Sequence, residues 1–394
     1  MNIAVIGGGP AGLWFARSVK RANPRHAVTV FEQNPADGTY GFGVVFSARA
    51  LEFLREVDRD ALDEVTRAME VWDDQTIVHR GEVVVIDGGG YAGIARIRLL
   101  TILQRLCEEA GVVLNHGRRI PHLAQLDADL VVGADGANSL VREAFPSEFG
   151  TRVRHLTNRF AWYGVDVPFR THTLTFRDYD GGVFVAHHYR YQPNMSTFLV
   201  ECDARTWTEN GLDAMSEGER KHYVEQVFAS ELEGRGLVEN TSQWRTFPVI
   251  TNARWSTGRY VLIGDALRTA HFSIGSGTRL AIEDASVLAS AVAATANVTA
   301  ALDLYESTRR PAVERFAPRS RARPASRRRA DADERRTDRV RPGLRLVPSG
   351  AGDAADPLEL PPRVEIAGNV EHPSSRGGTT VARIALCVTD ASFA

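Results

Sequence analysis

The chain is nearly without lysine. Lys20 and Lys221 stand against 45 arginines in 394 residues. A choice that lopsided reads as GC-rich coding, not as a built basic surface. Cysteine is scarce as well. Cys107, Cys202 and Cys387 lie far apart with no ligand spacing, so neither a disulfide framework nor a metal site is expected, and a reducing cytoplasm suits them. No stretch approaches the ~18–20 apolar residues of a membrane helix. The first apolar run, Ile3 to Ile6, stops at Gly7, so neither a membrane partner nor a signal segment is read from it. Net charge is only −2. Residues 319–394 carry +4 of it and the remaining 318 residues carry −6, which argues against a nucleic-acid partner for the body of the chain. What is present is ordinary: 43% hydrophobic and 24% charged residues, enough for one large domain or two interleaved ones.

The order of patterns describes an α/β fold with a β-rich insert. Residues 2–6 (NIAVI) read as a buried strand, Gly7 to Gly12 as a glycine turn, Leu13 to Arg21 as a helix and residues 27–32 as a second strand. Strand, turn, helix, strand is how a parallel sheet begins. Residues 47–70 and 96–110 repeat apolar positions at helical spacing, 76–86 alternate as strands, and 129–134 and Tyr260 to Gly264 read as short buried strands. Ile282 to Ala293 reads as an apolar helix. Between Phe160 and Glu201 the pattern changes to strands, clearest at Thr173–Arg177, Val183–Tyr189 and Thr197–Cys202, with Asp180-Gly181-Gly182 as a hairpin turn. After about Pro318 the periodicity ends. Residues 319–345 hold eleven arginines in 27 positions, and the stretch to 394 reads as a disordered tail rich in Arg, Pro and Gly.

Three motifs carry chemistry. Gly7-x-Gly9-x-x-Gly12 sits between a strand and a helix, and Glu32 ends the next strand 20 residues beyond Gly12. Gly7 permits a tight turn, Gly9 lets backbone approach a pyrophosphate, and Gly12 lets helix and strand pack closely; Pro10 and Ala11 open the helix whose free N–H groups face the anion. Glu32 can accept ribose hydroxyls, so dinucleotide binding outweighs a plain glycine turn. Asp135-Gly136 follows the strand at 129–134. Gly264-Asp265 follows the strand at 260–263, with a second glycine turn, Gly275-Ser276-Gly277-Thr278, opening the next helix. A carboxylate after a strand can hold a flavin's ribityl chain, and glycine N–H groups at a helix start can face its pyrimidine edge. A further triplet, Gly88-x-Gly90-x-x-Gly93, lacks a well-placed acidic residue and reads as a loop.

This set, in this order, resembles the single-component FAD-dependent aromatic hydroxylases, the class of p-hydroxybenzoate hydroxylase. The resemblance spans roughly residues 1–318, and the helix-start arginine that contacts FAD in that family maps to Arg96. Narrower segments, among them Trp162-Tyr163-Gly164, the stretch Phe184 to Tyr189, the stretch Met195 to Cys202 and Gly264 to Thr278, are similar to hydroxylases of salicylyl-CoA, of 2-aminobenzoyl-CoA and of violacein-pathway tryptophan derivatives. The proline and Gly-Gln-Gly usual after Gly-Asp in the wider class are replaced here by His271-Phe272-Ser273 and Gly275-Ser276-Gly277, a departure that the narrower group shares.

The resemblance implies a Rossmann-like FAD-binding domain of the GR2 flavoprotein type with an inserted antiparallel β-sheet substrate domain. The FAD domain is expected over 1–72, 96–158 and 250–318, the insert over 73–95 and 159–249, and the tail over 319–394. It implies a monooxygenase in which NADH or NADPH reduces FAD transiently and O₂ adds at flavin C4a, giving a hydroperoxide that attacks an electron-rich ring. The expected substrate is a small aromatic molecule carried as a CoA thioester, first salicylyl-CoA hydroxylated at position 5. The alternatives are a tryptophan-derived or aminobenzoyl-CoA ring, or a flavin reductase that inserts no oxygen. A base beside a ring hydroxyl would help, and His187, His188 and His271 are the candidates. Neighbouring His187 and His188 on one strand point to opposite faces, and each alone is as readily a local hydrogen-bonding residue. Arg152, Arg154 and Arg159 are the basic residues available to CoA, or are solvated surface charge.

Overall fold

A computed structural model describes residues 1–120, 122–240 and 243–316. Met1–Arg309 form one compact unit, and Arg310 begins a second. The tail expected over 319–394 lies outside the described residues.

The framework is a six-stranded sheet in the order Ser256–Thr257, Tyr260–Leu262, Leu130–Gly133, Asn2–Ile6, Ala27–Phe31, Val113–Asn115. All pairs but the first run parallel. Buried runs such as Ile3-Ala4-Val5-Ile6 and Leu130-Val131-Val132 suit strands covered on both faces. The register sets Ile6 opposite both Phe31 and Gly133, and Leu262 opposite Gly133. The strands therefore end level, and the loops beginning at Gly7, Glu32, Ala134 and Ile263 leave the same edge. Open parallel sheets bind ligands along that edge.

Helix Pro10–Ala22 starts directly at that edge and packs on helix Gly277–Ala294, where Trp14 Nε1 donates to Ser286 Oγ at 3.0 Å. The stretch read as one helix over 47–70 is two, Ala48–Val57 and Arg59–Thr66. Asp58 breaks it: its carboxylate caps the second helix at Ala61 N, 3.1 Å, and pairs with Arg17 at 2.9 Å.

A second sheet of eight strands holds Thr151–Val165, Met195–Cys202, Gly182–Gln192 and His172–Tyr179 in antiparallel succession, and Arg245–Asn252 pairs with the first of these. The expected hairpin turn at Asp180-Gly181 joins two of them. The insert is not wholly antiparallel: Gln75–His79 joins His172–Tyr179 in parallel, in register at Thr76 and Thr173. Two strands of the first sheet, Val113–Asn115 and Leu130–Gly133, lie between them in the chain, so no hairpin constrains their direction. Helices Ala204–Glu209 and Glu217–Val227 cover one face of this sheet over a core containing Tyr163, Phe184, Phe198 and Phe228. The loop reading of Gly88–Gly93 also fails in part, because Tyr91–Ala95 is a strand between Gly43–Ser47 and Glu70–Trp72. Gly93 is needed there for close approach: a Cβ on it would lie 2.4 Å from the Arg190 carbonyl oxygen.

Beneath the Gly264-Asp265 loop lies a buried charge network. Asp284, fully buried, accepts from Arg268 at 2.6 Å, from Arg309 at 2.8 Å and from Gly264 N at 3.2 Å. Glu283 pairs with Arg309 at 2.5 Å and with Arg279 at 2.7 Å. Removing one member leaves the others charged in a site they cannot leave. Asp284→Ala is expected to cost about 3–5 kcal/mol, measured by urea denaturation. A midpoint equal to that of the unmutated chain would contradict the network's role.

Candidate active site

The close packing at the sheet edge is specific to glycine. Gly7 has φ +108°, and a Cβ on it would lie 2.3 Å from the Ala134 carbonyl oxygen. A Cβ on Gly12 would lie 2.1 Å from the Gly7 carbonyl oxygen. Gly9 differs: a Cβ there would meet nothing within 4 Å. The space over Gly9 is open, and the helix it caps has no side-chain cap and no acidic residue in its first turn. Glu32 is held beside this space by Gly8 N at 2.7 Å and by Asn34 N at 2.8 Å. Ala11 lies against the neighbouring loop, since a Cβ on Gly264 would sit 3.4 Å from the Ala11 methyl.

Asp135 spends one oxygen capping helix Leu140–Ala144, with Leu140 N donating at 2.7 Å, while its buried Oδ1 has no partner. Arg142 ties this loop to the next. Its guanidinium donates to the carbonyl of Ala266 at 3.1 Å and to that of Ala137. The Asp135 and Asp265 loops are thus clamped at one edge.

A cavity of about 210 Å³ opens where the two sheets meet. Arg96, Asp265, Gly275, Gly277 and Thr278 line one side of it. Arg96 stands at the first position of helix Arg96–Glu109, and its buried Nε has no partner. Asp265 is open to the cavity but ringed by protein. That enclosure raises its carboxyl above the ordinary range, against the pull of Arg96 and Arg268. Burial likewise lowers Arg96, and Asp265 opposes it.

One face of the second sheet makes the other side: Phe160, Trp162, His172, His187, Tyr189, Thr197 and Leu199. The cross-strand register accounts for this grouping, since Trp162 and His187 both pair with Leu199. Phe247 and Phe272 close the ring of aromatics. Tyr189 OH donates to the Gly43 carbonyl at 2.9 Å, fixing the strand Gly43–Ser47 against this face.

The three histidines separate. His187 lines the cavity, 5% exposed, with Nε2 3.8 Å from Glu201 Oε2. Glu201 Oε1 accepts from Asn158 at 2.8 Å. Burial raises the Glu201 carboxyl, but the His187 and Asn158 contacts outweigh it and hold the group below its usual range. His188 points away, bonded to Thr175 Oγ1 at 3.0 Å and stacked on Phe198. His271 bonds Ser273 Oγ at 2.7 Å and packs on Phe247 and Phe272; burial lowers its pKa. His172, Phe247 and Asn158 were not singled out by sequence reasoning, and Trp162 and Glu201 entered it only within segments similar to related hydroxylases, with no role of their own. The regular alternation of the strand holding His187 and Tyr189 was the one available signal.

Burial drives both His172 and His188 down to about 3. Their folded pKa values lie below the unfolded 6.5, so they stay neutral when folded and stability falls as pH drops from 6.5 toward 3. His188→Gln, which keeps a partner for Thr175 but cannot titrate, is expected to flatten the fall in unfolding free energy between pH 7 and pH 4.5. An unchanged slope in denaturation at these two pH values would contradict this.

Comparison with known proteins follows the same lines. The family described as FAD binding domain matches residues 83–320. Salicyloyl-CoA 5-hydroxylase of Streptomyces sp is 41% identical over 326 residues, which cover 80% of this chain; the chain spans only 63% of that protein's length. The 3-hydroxy-4-methyl-anthranilyl-[aryl-carrier protein] 5-monooxygenase of Streptosporangium sibiricum is 39% identical over 314 residues, covering 80% of this chain and 85% of that protein. Among solved structures, 2-methyl-3-hydroxypyridine-5-carboxylic acid oxygenase shares the fold with a TM-score of 0.65 at 19% identity, covering 80% of this chain and 88% of that one. Among the described residues, no helix is long and apolar enough to cross a membrane.

Proposed function

The chain belongs to the FAD binding domain family, and from that premise we propose that it is an FAD-dependent monooxygenase that hydroxylates an aromatic ring carried as a CoA thioester, with salicylyl-CoA converted to gentisyl-CoA. NADH or NADPH is the transient electron donor in this reading. The observation that carries it is an aromatic-walled cavity, about 210 Å³, bounded by the Arg96–Asp265 side and the His187–Tyr189 face.

The residues fit the cofactor. Space is left over Gly9, Arg96 Nε and Asp135 Oδ1 lack partners, and Asp265 faces the cavity. Gly7, Gly9, Pro10, Ala11 and Gly12 would face the pyrophosphate, Glu32 the adenosine ribose, and Asp135, Gly264 and Asp265 the rest of the chain toward the ring system. Arg96, Gly275, Gly277 and Thr278 would border the flavin ring. The FAD-holding segments are then 1–72, 96–158 and 250–318, and the substrate-holding segments 73–95 and 159–249. FAD supplies reductive activation of O₂ and transfer of one oxygen atom; the protein aims the ring and excludes water. A 2-hydroxyl donates electron density to the para carbon, which makes position 5 of a salicylyl ring the reactive one. The names of both relatives place the ring on a carrier, CoA in one and an aryl-carrier protein in the other. The second relative favours an aminobenzoyl thioester as the other reading.

Two glycines separate cofactor binding from folding. Gly9→Ala is expected to cost the FAD-free protein no more than about 1 kcal/mol of stability, the loss of a glycine helix cap, yet weaken FAD binding at least tenfold. Gly12→Ala is expected to cost about 1–3 kcal/mol of stability, because its methyl strikes backbone. Equal effects of the two on FAD affinity and stability would contradict the assignment. The reaction is tested with FAD-loaded protein, NADH, ¹⁸O₂ and salicylyl-CoA or free salicylate. The thioester should accelerate NADH oxidation and gain one labelled oxygen, and free salicylate should do neither. A chain that no aromatic thioester stimulates is not this enzyme.

A further inference from the structure

A ring hydroxyl is a better donor of electrons after it loses its proton, and the cavity holds one buried imidazole backed by a carboxylate. His187 and Glu201 lie diagonally on paired strands, both 5% exposed, with His187 Nε2 lacking a hydrogen bond and 3.8 Å from Glu201 Oε2. Asn158, from the third strand of the same face, fixes the carboxylate's other oxygen at 2.8 Å. With Nε2 turned toward the carboxylate, Nδ1 is the nitrogen left toward the cavity that His187 lines. The groups facing His187 are the neighbouring His172, His271 from the loop packed above it, and Arg96 and Asp265 across the cavity, while the adjacent His188 points to the other sheet face. Of these histidines, His172 and His188 are held neutral by burial near pKa 3, and His271 is bonded to Ser273.

We propose that His187 is the base that takes the proton of the bound ring's hydroxyl, and that Glu201, anchored by Asn158, is the positioning residue that stabilises the imidazolium so formed. The O–H bond of the substrate breaks, an N–H bond forms at His187, and the ring keeps the electron pair as phenolate. Nothing is oxidised in this step. It rests on the ring-hydroxylation reading above.

The pair itself is tested without substrate. Nitrogen-15 NMR of the histidine rings of the FAD-loaded protein, with His187→Gln to identify the signal, should find the proton of the neutral His187 ring on Nε2, toward Glu201, leaving Nδ1 free to accept; a proton held on Nδ1 overturns the proposal. The base is tested with salicylyl-CoA in the absence of NADH, reading the ligand's phenolate absorbance. The band should be present at pH 8 in the unmutated chain, about tenfold weaker or more in Glu201→Gln, and absent in His187→Gln at saturating ligand. A band of equal strength in His187→Gln overturns the proposal. If salicylyl-CoA does not bind at all, the thioester reading falls instead, and the NMR measurement of the His187 tautomer, which needs no ligand, still decides for or against the pair.

Discussion

Everything at the sheet edge depends on one contact that only a missing Cβ allows. Gly12 sits so close to the Gly7 carbonyl that a methyl would lie 2.1 Å from it. Because that contact forms, helix Pro10–Ala22 starts immediately at the end of strand Asn2–Ile6 and its uncapped N–H groups face outward beside Glu32. The parallel register then brings the ends of the neighbouring strands level, so that glycine turns and carboxylates far apart in sequence share one edge.

A second constraint holds the far end of that edge. The Gly264-Asp265 loop rests on Asp284, whose carboxylate bonds Gly264 N and two arginines. A buried cluster of this kind is weak evidence for extra stability but strong evidence for fixed geometry, since no member can move without stranding another. Arg142 supplies the matching clamp between the Asp135 and Asp265 loops. The cavity-facing groups therefore stand on backbone held from beneath, while the opposing wall is a sheet face whose alternation and cross-strand register place Trp162, His187 and Tyr189 together.

Much of the framework was legible in the sequence because local rules govern it. Short buried strands ending at Gly7, Asp135 and Gly264 announce themselves by apolar runs stopped by glycine or a carboxylate. The opposite facing of His187 and His188 follows from strand geometry alone. What escaped reading was non-local. Asn158 meets Glu201 across 43 residues of sequence, and no spacing rule links them. The parallel pairing of Gln75–His79 with His172–Tyr179 joins segments whose order says nothing of direction. The strand Tyr91–Ala95 was hidden by Gly93, which reflects crowding against Arg190 and Trp72. Two signals were readable and were not read: Asp58 as a helix-breaking cap, and Ser216 with Glu219 as a capping box opening Glu217–Val227.

The account stands or falls on whether the converging loops hold a flavin. Titrating the purified, flavin-free chain with FAD while following flavin fluorescence measures this directly. The account predicts saturable quenching at one FAD per chain and a yellow protein that keeps its colour through gel filtration. Fluorescence that stays that of free FAD throughout the titration, with a colourless protein fraction, would contradict it.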